Sequence, residues 1–480
     1  MAGDQQKLHA IMVPYPLQGH VIPAVHLAVK LAAKGFAVTF VNTHSVHHYY
    51  ISKSLPSNAG GDIFAGARES GLDIRYATVS DGLPVGFDRS LNHGQFMESL
   101  LHVFSAHVDE LVGGIVRKSE PPVTCLIADT FYVWPSMIAE KYGLVNVSFW
   151  TEPALVLNLY YHLHLLRENG HFGCSDKRED TIDYIPGVPS IKPTDLMSYL
   201  QAVDVSTVEH RIINRAFDDV KRADIILCNT VRELELESIS ALHQNQPMYA
   251  IGPIFPNGFT KSLVATSLWP ESNCAHWLDA RPNGSVLYVS FGSYAHVTKT
   301  DIVEIAHGLL LSGVGFVWVL RPDIVSSDEA DVLPVGFQEH VKDQGMMVPW
   351  CNQIDVISHQ AVGGFLTHCG WNSILESMWC AVPLLCFPLL TDQFTNRKLV
   401  VDDWKVGLNL CDQGAVTREE VADKISCLMN GTTSEELRRE TEKMKSILED
   451  ALAVDGSSQT NFNQFVKKMN KKINLLSNHV

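Results

Sequence analysis

Two stretches of this chain alternate short apolar runs with segments of helical periodicity, and that alternation restricts the fold more than any other feature. In the first stretch, apolar runs stand at residues 8–13, 36–41, 124–129, 145–150 and 223–230. Between the first two, AVHLAVKLAAK carries apolar residues at helical spacing. Pro23 lies near the expected helix start and Gly35 past its end, the usual asymmetry. In the second stretch the runs recur at 285–293, 315–321, 345–350, 362–368 and 382–388, with a helix expected from about 301 to 312. Continuous apolar strands separated by helices imply parallel sheets covered on both faces. The expected fold class is α/β, with two doubly wound Rossmann-like domains facing across a cleft. Residues 254–273 contain Pro256 and Pro270, have weak periodicity and read as a linker. The expected division is therefore 1–253, a linker at 254–273, a second domain at 274–455, and a C-terminal helix at 456–480 packing back on the first domain.

Composition narrows what such a chain can do. Its 480 residues carry 37 Lys+Arg against 53 Asp+Glu, a net charge of −16, which argues against a nucleic-acid partner. Ten cysteines are scattered without a CxxC pair, so reduced thiols of a cytoplasmic protein are expected. The first twenty residues do not read as a signal peptide. The longest apolar run, 381–390, is broken by Pro383 and Pro388 and is too short to span a bilayer. The sequons at Asn146, Asn283 and Asn430 are then expected to be unused. No Walker A loop, GxSxG elbow or HExxH zinc motif occurs.

The segment 350–393 carries the most chemistry. At its centre an apolar run ends in Thr367 and His368, a turn follows at Cys369, Gly370 and Trp371, and a helix is expected from Asn372 and Ser373, both good N-caps. A helix N-terminus presents N–H groups and the positive end of a dipole to an anion. The segment contains no Lys or Arg. A phosphate bound here must be met by backbone amides, hydroxyls, side-chain amides and histidine. Glu376, one turn after Asn372, is placed to accept from sugar hydroxyls. Asp392 and Gln393 offer an acceptor and an amide for a polyol.

This segment resembles the 44-residue C-terminal signature box of the plant UDP-dependent glycosyltransferases that modify small molecules, from its first Trp to its last Gln. PYPLQGHVIPAVHLA (14–28), SDGLPVGFD (80–88), IPGVPSIKPTDL (185–196), CNTVRELE (228–235), IGP (251–253) and YVSFGS (288–293) are similar to that family too. The resemblance implies an inverting enzyme of GT-B fold, with the acceptor in the N-terminal domain and the UDP-sugar in the C-terminal one. It implies that Trp350 stacks on uracil with Gln353 beside it, and that Glu376 holds the ribose hydroxyls. Ser293, His368, Asn372 and Ser373 would bind the diphosphate, and Trp371, Asp392 and Gln393 the sugar. Two residues depart from the family pattern. Asn352 stands where Pro is usual, which bears on the loop after Trp350. Ala381 stands where Gly is usual and is harmless if its φ is negative.

His20 follows the first strand and Asp129 ends the run at 124–129, so both are expected at carboxyl ends of parallel strands, where ligands bind. A hydroxyl nucleophile needs a base near neutral pH, and a carboxylate on the second ring nitrogen would orient that base. Both positions match the family's His–Asp pair; in isolation they read equally well as helix caps. The expected reaction moves a sugar, by default glucose, from a UDP-sugar to a hydroxyl of a small lipophilic phenol or terpenoid, giving a β-glycoside. Phe131, Tyr132, Trp134, Phe149, Trp150 and Thr151 are acceptor-pocket candidates, with loops 83–87 and 197–200 over them, and the resemblance implies that Gly19, Trp150 and Thr151 lie near the sugar. No cofactor or metal is expected beyond the UDP-sugar co-substrate, since His44, His47, His48, His162 and His164 lack ligand spacing. A monomer without a membrane-spanning segment is expected. A nicotinamide or flavin oxidoreductase is disfavoured because no GxGxxG follows a strand. A non-catalytic sugar-nucleotide binder is disfavoured because His20 and Asp129 are both present.

Overall fold

The computed structural model describes residues 7–48, 62–174, 178–256, 259–264, 267–325, 332–412 and 414–477. The chain divides into two compact units. The first comprises Met1–Ile191, Ala202–Leu268 and Asp450–Val480, and the second Lys192–Gln201 and Trp269–Glu449.

The first unit is built on a seven-stranded sheet. Its strands are β1 (His9–Val13), β2 (Ala37–Thr43), β3 (Ile74–Val79), β4 (Cys125–Asp129), β5 (Val145–Trp150), β6 (Ile225–Cys228) and β7 (Met248–Ala250). The order is β3-β2-β1-β4-β5-β6-β7 and every neighbouring pair is parallel. Every residue of β1, β2, β4, β5 and β6 is buried, as the continuous apolar runs require. The C-terminal helix Ser457–Ser477 lies against the β7 edge. There the Asn461 side-chain amide donates to the Ala250 carbonyl at 2.9 Å, and Phe465 meets Tyr249 at 6.4 Å between ring centres. Covering that edge occupies backbone groups that would otherwise template another strand.

The second unit repeats the plan with six strands: β8 (Val286–Ser290), β9 (Gly315–Val319), β10 (Gly345–Val348), β11 (Val362–Thr367), β12 (Leu384–Cys386) and β13 (Gly407–Asn409). The order is β10-β9-β8-β11-β12-β13, again all parallel. Each sheet therefore reverses its direction of winding once, between β1 and β4 in the first unit and between β8 and β11 in the second. The loops that leave the carboxyl ends of those strand pairs part from each other and open a crevice.

Several local expectations need correction. The first helix spans Gln18–Ala33, so Pro23 sits inside it rather than at its start. Extended Leu17 (φ −122°, ψ 146°) begins the helix five residues earlier than the proline suggests. The helix after β11 spans Trp371–Trp379 with Gly370 at its N-cap, so Asn372 and Ser373 lie within the first turn instead of capping it. Residues 192–201, expected in the first domain, group with the second unit. Asn352 has φ −69°, the value a proline would impose, and its side chain accepts from the Asp355 N–H at 3.2 Å. It therefore keeps the loop geometry and caps the helix Gln353–Ile357.

Ala381 is the opposite case. Its φ is +55°, so the condition for a harmless alanine is not met. The turn from the Trp371–Trp379 helix into β12 needs a left-handed residue, and alanine holds that conformation at a cost of about 1–2 kcal/mol. Ala381→Gly is expected to raise unfolding free energy by up to about 1 kcal/mol, the strain relief being partly offset by unfolded-state entropy. A urea melt that shows no gain or a loss would contradict this.

Candidate active site

In the first unit the reversal point brings two residues together. β1 ends at Val13 and the chain enters its helix at Gln18, which places Gly19 and His20 in the first turn. β4 ends at Asp129 itself. His20 Nδ1 lies 2.8 Å from Asp129 Oδ2, with side-chain exposures of 13% and 2%. The other carboxylate oxygen accepts from the Phe131 N–H at 3.0 Å. A buried carboxylate against Nδ1 requires the proton there, which leaves the Nε2 lone pair as the basic end. The ring is flanked by Tyr15 at 5.5 Å and by Phe131, edge-on, at 5.8 Å.

Thr151 and Trp150, neighbours in sequence, have different surroundings. Thr151 Oγ1 sits 3.0 Å from His20 Nδ1, so this hydroxyl is a second partner of the imidazole. The resemblance placed Thr151 near the sugar, and nothing in the sequence pointed to its contact with His20. Trp150 is 1% exposed, packs on Phe131 and Phe217, and donates its indole N–H to the Pro153 carbonyl at 2.8 Å. Its side chain is core, not pocket wall. Tyr132, Trp134 and Phe149 are buried as well, which leaves Phe131 as the partly exposed aromatic beside His20.

In the second unit Ser293 follows β8 and His368 follows β11, again at the reversal point. His368 is wedged between Gly292 and Gly370, where a Cβ on either would approach its Nε2 to 2.5 Å. Only glycine admits the ring there. Burial first, then the charge of Arg321, lowers the His368 pKa to about 4. The imidazole is therefore neutral at physiological pH. Arg321 was not singled out by sequence. It is 2% exposed and donates to the Gly292 and Ala295 carbonyls at 2.8 and 2.7 Å, fixing the loop after β8. Its signal was an arginine closing the apolar run at 315–321.

Trp350 stacks on Trp269, with ring centres 5.7 Å apart and planes inclined by 28°. Trp269 lies within 254–273, whose weak periodicity gives a partner for Trp350 no sequence signal. Gln353 donates its amide to Ser373 Oγ at 2.9 Å and to Glu376 Oε2 at 2.7 Å, while Tyr288 O–H donates to its oxygen at 3.4 Å. One side chain thus orients two of the expected ligand-binding groups. Trp371 packs on Trp404, with ring centres 6.0 Å apart, and is 3% exposed. Asn372, beside it, belongs to the first turn, whose amides have no helix carbonyl to donate to.

Asp392 and Gln393 are both buried, and the Gln393 oxygen accepts from the N–H groups of Leu389 and Leu390 at 2.8 and 3.0 Å. Cys369 (φ +66°) precedes the N-cap Gly370, and Thr391 (φ +55°) precedes Asp392. Two non-glycine residues in the left-handed region, each costing about 1–2 kcal/mol, thus stand at the entrances of the two loops that carry the expected ligand groups.

Two doubly wound parallel-sheet units of this kind define the GT-B class. The family described as UDP-glucuronosyl and UDP-glucosyl transferase matches residues 232–444. The chain is 64% identical over 473 residues to UDP-glycosyltransferase 86A1 of Arabidopsis thaliana, covering 98% of this chain and 96% of that one. It is 33% identical to (R)-mandelonitrile beta-glucosyltransferase of Prunus dulcis, covering 97% of this chain and 98% of that one. Among solved structures, Medicago truncatula UGT71G1 complexed with UDP-glucose aligns with a TM-score of 0.79 at 26% identity, over 98% of this chain and 100% of that one. A UDP-glucose: anthocyanidin 3-O-glucosyltransferase in complex with UDP aligns with a TM-score of 0.83 at 26% identity, over 97% and 100%. The chain belongs to the plant UDP-glycosyltransferase family, and it is a UDP-dependent glycosyltransferase. Among the described residues no three His, Cys, Asp or Glu side chains group as a metal site, and no helix is long and apolar enough to cross a membrane.

Burial raises the Glu376 carboxyl from its ordinary value of 4.5 to about 7, opposed in part by the Gln353 hydrogen bond. The unfolded chain ionises Glu376 above about 4.5 and the folded chain only near 7, so a destabilising contribution builds between those values and is complete above them. Glu376→Gln, which keeps an oxygen for the Gln353 amide, is expected to unfold at higher denaturant than the wild type at pH 8. That advantage should shrink as pH falls toward 5. A difference independent of pH would place the ionisation elsewhere.

Proposed function

We propose that the enzyme transfers a glucosyl group from UDP-glucose to a hydroxyl of a small lipophilic acceptor, with inversion to a β-glycoside. The observation that carries the proposal is the 2.8 Å contact between His20 Nδ1 and buried Asp129, which leaves Nε2 as a base. In this reaction the acceptor hydroxyl gives its proton to Nε2 as its oxygen attacks the anomeric carbon, and UDP departs from the opposite face. Asp129 holds the ring and stabilises the imidazolium that forms. The Thr151 hydroxyl helps fix the ring plane. One displacement converts an α-linked donor into a β-linked product.

For the donor, the uracil would lie on the ring face of Trp350 away from Trp269, and the ribose hydroxyls would donate to Glu376. The charge that grows on the leaving diphosphate would be met by the first-turn amides of the Trp371–Trp379 helix, with Ser293, Asn372, Ser373 and neutral His368 as hydrogen-bonding groups. Asp392 and Gln393 would take the sugar hydroxyls. Support for glucose and a small acceptor comes from relatives whose names state glucosyl transfer to (R)-mandelonitrile and to anthocyanidin. Phe131 beside His20 suits a flat or terpenoid-like acceptor.

His20→Ala should lower turnover on a hydroxyl acceptor by roughly 10²–10⁴-fold, the usual worth of a general base. UDP affinity by calorimetry should stay unchanged, because the nucleotide contacts belong to other residues. Near-wild-type turnover of this variant would remove His20 from the role.

A further inference from the structure

We propose that the strap Lys192–Gln201, acting through Ser198 and Asp195, is a positioning element that sets how the enzyme reads the donor's sugar. The proposal rests on the reading above that Asp392 and Gln393 take the sugar hydroxyls. Neither strap residue is expected to touch the donor.

The strap comes from early in the chain yet belongs to the second unit. It grips the sugar turn at three points. Ser198 and Thr391 exchange two bonds: the Ser198 N–H donates to the Thr391 carbonyl at 3.0 Å, and the Thr391 N–H donates to Ser198 Oγ at 2.8 Å. Thr395 Oγ1 donates to the Asp195 carbonyl at 2.7 Å. Arg397 pairs with the Asp195 carboxylate, with side-chain exposures of 18% and 7%. Thr395 and Arg397 belong to the helix Gln393–Lys398, which begins at Gln393 itself.

The grip continues into the ligand groups. Thr391 Oγ1 donates to Asp392 Oδ1 at 2.8 Å. Asn396, between the two gripped residues of that helix, donates to Asp392 Oδ2 at 2.5 Å and to the Cys369 carbonyl at 2.9 Å. Cys369 leads into Gly370, the N-cap of the Trp371–Trp379 helix. A continuous chain of bonds therefore runs from Ser198 through Thr391, Asp392 and Asn396 to the left-handed residue before that helix. Thr391 is itself left-handed, a conformation that a non-glycine residue keeps only when its surroundings over-determine it. The Ser198 hydroxyl supplies the acceptor for its amide. Without it, the constraint on Thr391 and on the Asp392 carboxylate loosens. Trp350, Gln353 and Glu376 stand on other elements and keep their own partners.

The test compares Ser198→Ala, Ser198→Thr and Gln393→Ala with the wild type, measuring UDP affinity by calorimetry and KM and kcat with UDP-glucose and UDP-galactose. Ser198→Ala should raise KM for UDP-glucose roughly tenfold, the value of one positioning hydrogen bond, and should narrow the preference between the two sugars. Its UDP affinity should stay within about twofold of the wild type. Ser198→Thr, which keeps the hydroxyl, should restore both KM and preference. The proposal is overturned if Ser198→Ala leaves KM and sugar preference unchanged. It is equally overturned if UDP affinity and KM worsen together, which would mark a general structural loss. If Gln393→Ala also leaves KM for UDP-glucose unchanged, the failure lies in the sugar role of the turn rather than in the strap.

Discussion

A doubly wound parallel sheet grows outward from one strand in two directions, and where the winding reverses no crossover helix fills the carboxyl edge. Both candidate sites depend on that constraint. In the first unit it lies between β1 and β4, which places His20 after one strand and Asp129 at the end of the other. In the second it lies between β8 and β11, which places the Gly292 loop against His368. A histidine and an aspartate 109 positions apart in the chain meet at 2.8 Å because neighbouring strands carry them to the same edge.

The second constraint is electrostatic. A chain of net charge −16 must hold a nucleotide diphosphate. The 350–393 segment carries no cation, and burial keeps His368 neutral. Arg321 supplies a buried positive charge near this loop, but its guanidinium is committed to the Gly292 and Ala295 carbonyls and to Asp323. A diphosphate bound there, as proposed, would be met by fixed dipoles, and these cost little reorganisation when charge develops on a leaving group. Raised Glu376 fits the same picture. A carboxyl removed from water ionises reluctantly until something donates to it.

Much of this was legible in the sequence, for reasons that can be named. Buried strands such as β4 and β5 announce themselves as unbroken apolar runs, so their ends, and hence Asp129, could be placed. The edge strands β3, β7 and β13 were not found. β3 is only partly buried over four of its six residues, and β7 and β13 have three residues each, too few for a pattern. The signature segment suggested the proposed ligand groups but not their supports. Trp269 behind Trp350, Arg321 under the β8 loop, Thr151 beside His20 and Ser198 under Thr391 act through contacts distant in sequence, which no local spacing encodes. Trp150 shows the converse error. A tryptophan at a strand end can point into the core as readily as into a pocket, and here its indole N–H is satisfied internally. Ala381 shows a third limit, since a side chain that suits negative φ occupies a turn that demands the reverse.

The proposed reaction is a single displacement at the anomeric carbon assisted by the His20–Asp129 pair. Its most direct test is the configuration of the product. The enzyme would be incubated with UDP-glucose and a panel of phenols and terpenoid alcohols, and any glycoside identified by mass would be assigned at its anomeric carbon by proton NMR. A β-linked glucoside from the α-linked donor is the expected product. An α-linked product would require retention, and with it a second displacement or a different reacting group, and would rule out the single displacement at His20.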